Sequence, residues 1–143
     1  MNKKNHTEFL ADLTAKWKKD LAERESKIRS LMETELIDED GYPTPSALEI
    51  VSTWHWSEPN GYFDFIKSIW WMPDWGWSEG NETDERDDLK LVYRYHISTG
   101  GWSGNEAIIS AMQSNDMMWH LNWVQSRRGG HYIFELREFK SEN

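Results

Sequence analysis

The stretch LKLVYRYHISTGGWSGNEAIISAM, residues 89–112, decides the fold class, because its apolar period changes from two to helical spacing across a pair of glycines. Leu91, Tyr93, Tyr95 and Ile97 alternate with Val92, Arg94, His96 and Ser98, which predicts a half-buried strand over residues 89–98. Ser103 to Met112 then reads as a helix, and Met117 to Ser126 and His131 to Phe139 read as two further strands around the turn Arg127-Arg128-Gly129-Gly130. This β-α-β-β order predicts a small three-stranded mixed sheet. Placing Ser126 opposite His131 pairs Val124 with Ile133, Asn122 with Glu135 and His120 with Arg137 on one face. The other face then pairs Gln125 with Tyr132, Trp123 with Phe134 and Leu121 with Leu136.

Upstream, the chain reads as helical. Leu10, Leu13, Trp17, Leu21, Ile28, Leu31 and Leu36 recur at intervals that mark a long amphipathic helix from about residue 7 to 36. Gly41, Pro43 and Pro45 break it, and Thr44 is placed to cap a short helix running to Trp54. A second short helix is expected over residues 60–71, capped by Asn60 and stopped by Pro73. The segment PDWGWSEGNETDERDD, residues 73–88, has no period and reads as a loop. The expected architecture is therefore α+β. Residues 1–37 form a helical arm suited to pairing with a second copy, and residues 38–143 form one domain with an acidic loop at 78–88.

Composition narrows the chemistry. The 143 residues include no cysteine, which removes disulfides, thiolate nucleophiles and Cys-ligated metal centres. No apolar run approaches a membrane span or a signal segment, so a cytoplasmic protein without membrane association is expected. The net charge of −9 is unevenly placed: residues 1–36, 37–88 and 89–143 carry +1, −11 and +1. Such a balance argues against direct nucleic-acid binding. The acidic residues Glu79, Glu82, Asp84, Glu85, Asp87 and Asp88 form a candidate surface for a basic protein partner.

Two glycine-rich strings carry the candidate site. TGGWSGNE, residues 99–106, leads from strand to helix, so Gly100 and Gly101 permit close backbone approach. Ser103 or Asn105 could cap the helix, Glu106 lies in its first turn, and Trp102 offers a stacking surface. SRRGGHY, residues 126–132, sets the forked donors of Arg127 and Arg128 beside His131, a combination suited to phosphate or carboxylate. The strings converge on one sheet edge only if the strand before SRRGG runs parallel to the strand before TGG. A polar sheet face of Arg94, His96, His120, Asn122, Glu135 and Arg137 is expected beside them. No HxH or HExxH spacing is present, so neither a metal nor a cofactor is expected.

STGGWSGNEAIISAM and WVQSRRGGHYIFEL, with YFDFIKSIWWMPDWGW before them, resemble a group of small uncharacterised proteins encoded by bacteriophages, over about residues 60–138. The resemblance implies an accessory protein of the infected host's cytoplasm that counters a defence system by binding. The expected function is non-enzymatic capture of a small anionic, nucleotide-like ligand at the TGGWSGNE/SRRGGHY edge. One alternative is an acidic inhibitor of a host defence or nucleic-acid-processing protein, acting through residues 74–88. Another is a small hydrolase using His131 with Glu106 or Glu135.

Overall fold

The computed structural model describes residues 5–136; Arg137 and the rest of the expected last strand lie outside them, as does the side chain of Asp88. The first helix, α1 (His6–Met32), is capped by Asn5, whose side chain accepts from the Glu8 N–H. It ends four residues before the expected Leu36. Its first turns stand clear of the domain, leaving Phe9, Leu10 and Leu13 exposed, while Ile28 and Leu31 pack against the core. Trp17 sits on His55 with 6.2 Å between ring centres, and Arg24 donates to the Thr53 carbonyl, so the second half of α1 is held from both ends.

Thr44 caps α2 (Pro45–Thr53) as its position before Pro45 predicts, its hydroxyl accepting from the Ala47 N–H. Helix α3 (Tyr62–Ile69) starts one position later than expected. Gly61, with φ +84°, makes the entry turn in place of Asn60. A short helix α4 (Pro73–Gly76) follows, and then the largest departure from the sequence reading. The segment expected to be an acidic loop is a strand, β1 (Trp77–Asp84), paired antiparallel with β2 (Asp87–Ser98). Its pattern is masked because only Trp77 is apolar. The ladder to β2 supplies the order that side-chain burial does not.

After β2 come α5 (Ser103–Ser114), α6 (Asp116–Asn122), β3 (Trp123–Arg127) and β4 (His131–Glu135). The expected strand over 117–126 is thus a helix for most of its length. Met118 and Asn122, four residues apart, both turn inward, and Asn122 donates to the Met118 carbonyl. Asn115, buried at the α5–α6 junction, donates to the carbonyls of Val51 and Trp54 at 2.9 and 2.8 Å and ties that junction to the end of α2. Helical α6 removes His120 and Asn122 from the sheet and cancels their expected pairing with Arg137 and Glu135.

Among the described residues the sheet has four strands in the order β1-β2-β4-β3, with every neighbouring pair antiparallel, in place of the expected mixed sheet of three. Because β4 lies between them, β2 and β3 still run in the same direction. The β3–β4 turn therefore returns to the end of the sheet where β2 leaves it. The hairpin register is shifted by one at the turn, with Arg127 opposite His131 and Ser126 opposite Tyr132. An irregularity between Trp123 and Gln125 absorbs the shift and restores Trp123 opposite Phe134. Phe63 stacks on Tyr95 at 4.2 Å and meets Phe134 at 5.6 Å, while Trp119 meets Phe134 edge-on at 5.3 Å. The core thus fills the space between the helices and the face of the sheet carrying Tyr95, Ile97 and Phe134. Among the described residues no helix is long and apolar enough to cross a membrane.

Candidate functional site

The two glycine-rich strings meet. The Thr99 N–H donates to the Gly130 carbonyl at 3.0 Å, the Thr99 hydroxyl donates to Glu106 at 2.8 Å and accepts from the Gly101 N–H at 3.2 Å. Gly130 is required at this crossing. Its φ is +78°, and a Cβ there would fall 2.3 Å from Thr99 Oγ1. Arg127 and Arg128 stand exposed on the same turn, with Arg127 Nε donating to Gln125 at 3.3 Å.

Below the turn, alternate side chains of β2 and β4 form a polar layer. Ser98 Oγ and His131 Nδ1 are 2.7 Å apart, and the His131 and His96 rings stack at 6.0 Å. His96 Nε2 lies 2.6 Å from Glu82 Oε2. Glu82 also meets Arg94, which donates to Glu135 at 2.5 Å, and Arg86 reaches the second oxygen of Glu135 at 3.5 Å. The hydrogen bond that Arg94 donates to Glu135 chiefly raises the Arg94 pKa, outweighing burial. Burial, then the neighbouring charges of His96 and Arg127, lowers that of His131, which favours its neutral form. A groove of about 400 Å³ runs along this layer, lined by Glu82, Arg94, His96, Gln125, Arg127 and Ile133.

The remaining expected residues fall elsewhere. Buried Asn105 accepts from the Trp71 N–H at 3.0 Å and donates to the Trp71 and Thr99 carbonyls, so it fastens chain segments together. Trp102 is packed with Tyr42 at 4.6 Å and with Trp71 at 5.0 Å, which takes up the ring expected to stack on a ligand. Ser103 does not cap α5; its hydroxyl donates to Tyr42 Oη at 3.4 Å. His120 is exposed on α6. Glu82 belongs to the polar layer, which the loop reading of its segment conceals.

The acidic set is largely paired within the chain. Glu79 meets Lys67 at 3.7 Å, Asp84 meets Arg86 at 3.5 Å and Asp87 meets Lys90 at 4.0 Å; Glu85 is exposed. Among the described residues no group of three or more His, Asp or Glu side chains is arranged to hold a metal ion. His131 is hydrogen-bonded to Ser98, while Glu106 accepts from Thr99 and Glu135 from Arg94. No family model, no curated protein and no solved structure matches the chain.

Proposed function

We propose that the chain is a non-enzymatic binding protein that captures a small phosphate-bearing ligand where the Thr99–Gly101 and Arg127–Gly130 turns meet. The observation that carries this reading is the Thr99–Gly130 hydrogen bond. It brings two positive-φ glycine pairs together beside two exposed guanidinium groups. Forked N–H donors of this kind bind phosphate oxygens in pairs, and Glu106, the carboxylate at this junction, is already held by the Thr99 hydroxyl. Burial favours the neutral form of His131 in the free protein, where its ring is hydrogen-bonded to Ser98. Since Trp102 is engaged by Tyr42 and Trp71, recognition rests on the phosphate more than on a base. In the phage setting implied by the resemblance, such a protein withdraws an anionic signal from a host defence system.

Calorimetric titration with nucleoside mono- and triphosphates and with inorganic phosphate tests the reading. Wild type should bind at least one nucleoside phosphate, and Arg127→Ala/Arg128→Ala should weaken binding by about tenfold or more, as expected for loss of charge-assisted hydrogen bonds. Full affinity in the double variant would remove the phosphate site.

A further inference from the structure

The segment between α3 and β1 is built to hold aromatic side chains outside the core. Trp71, Met72 and Trp75 are 46%, 51% and 68% exposed, and Trp71 adjoins Tyr42, itself exposed, through the stacked ring of Trp102. Met72 is the one non-glycine residue at positive φ among those described, with φ 56° and ψ 54°. A left-handed methionine costs about 1 kcal/mol or more, so this turn is held by its surroundings. The clamp is Asn105, whose side-chain amide takes both the N–H and the carbonyl of Trp71. On the other side, the ring of Trp75 lies so close over Gly100 that a Cβ there would come within 2.9 Å of it.

The chain segments that carry these rings hold charges of one sign. Segments 38–42, 71–76 and 99–106, which supply the rings and their supports, contain Asp38, Glu39, Asp40, Asp74 and Glu106 and no lysine or arginine. Exposed indole faces with an acidic rim attract cations twice over, through the ring quadrupole and through Coulomb attraction. A rim of this sign repels phosphate backbones.

We infer that this aromatic platform docks a basic segment of a partner protein, with arginine or lysine side chains laid over Trp71 and Trp75 and their charges facing Asp74 and the 38–40 turn. The surface adjoins the phosphate site, since Trp75 covers Gly100, but it takes a partner of the opposite charge. Arg127 and Arg128 face an anion from the hairpin turn, whereas the platform takes a cation.

The test is fluorescence anisotropy of a labelled peptide of alternating glycine and arginine, with a glycine–glutamate peptide and an oligo-dT strand as comparison probes. The arginine peptide should bind, more weakly at high salt, and the glutamate peptide should not. Trp71→Ala/Trp75→Ala should weaken binding about tenfold, Trp75→Phe should retain most of it, and Glu39→Gln/Asp40→Asn/Asp74→Asn should weaken it and flatten its salt dependence. Arg127→Ala/Arg128→Ala should bind the peptide no less tightly than wild type. Trp75→Ala alone, whose folding is checked by its circular dichroism spectrum and urea midpoint, should lose part of the affinity, while Trp75→Phe keeps the ring over Gly100. Binding that ignores the tryptophan substitutions overturns the proposal. So does tighter, tryptophan-dependent binding of oligo-dT, or a dimer in sedimentation that Trp71→Ala/Trp75→Ala dissolves.

Discussion

Asn105 replaces, for Trp71, the hydrogen bonds that a neighbouring strand would make: it accepts from the Trp71 N–H at 3.0 Å and donates to the Trp71 carbonyl at 3.1 Å. Asn105→Leu would leave both backbone groups without these partners beside a buried apolar side chain. It should cost about 2–4 kcal/mol, read from the shift of the urea midpoint. A loss below the error of that measurement would show that Trp71 is held by other contacts.

The two glycines of the hairpin turn should respond differently to the same substitution. Gly129→Ala meets open space and only a positive φ of +89°, whereas Gly130→Ala also drives a Cβ against Thr99 Oγ1. The first should cost about 1 kcal/mol and leave phosphate affinity intact. The second should cost more, and by displacing Thr99 from Gly130 should lower that affinity as well. Equal effects on both readouts would sever the link between the turns and the site.

Arg94 is buried with Glu135. Arg94→Met takes the shorter ion pair from buried Glu135 and leaves it Arg86 at 3.5 Å, so it should destabilise the fold by up to about 3–5 kcal/mol. Arg94→Met/Glu135→Leu should recover much of the loss, because the charge and its partner are removed together. Thermal melts of the three proteins decide it; a double variant no better than the single would contradict the charge argument.

Stability should fall as pH drops. Burial is the leading cause that lowers the pKa values of both His55 and His131 below 6.5; nearby Asp20 opposes it at His55 but does not cancel it. Below about pH 6.5 the unfolded chain therefore takes up protons at these positions that the folded chain refuses, and stability is lost down through the lowered folded values. Urea unfolding across pH 5–7.5 should show this slope, and His55→Gln/His131→Gln should flatten it. An unchanged slope in the double variant would assign the effect to other groups.

The regular parts of the chain are legible where side-chain chemistry and backbone geometry agree. Thr44 before Pro45 caps α2 as its type predicts, and the alternation through Tyr93, Tyr95 and Ile97 marks the core face of β2. The meeting of the two glycine turns is legible as well, since it requires only that β2 and β3 run the same way. What is not legible comes from tertiary overrides. WSEGNETD is a strand because β2 is beside it, and its composition gives no sign of this. Residues 117–122 carry apolar side chains that suit either period, and the inward turn of Met118 and Asn122 selects a helix. Trp102 is an aromatic on a glycine-rich loop; only the placement of Tyr42 and Trp71 shows that its ring is already engaged.

The outer margins of the sheet are its two edge strands, β1 and β3, and both resist growth by addition of a further strand. Along β1, Glu79, Glu82 and Asp84 stand among small polar residues, so an incoming backbone would meet carboxylates that already have partners. Along β3, five residues with an irregular ladder next to Trp123 offer too short and too bent a template. The acidity of the middle of the chain thus acts as a guard on an exposed backbone, leaving the exposed tryptophans and the arginine-bearing turn as surfaces open to encounter.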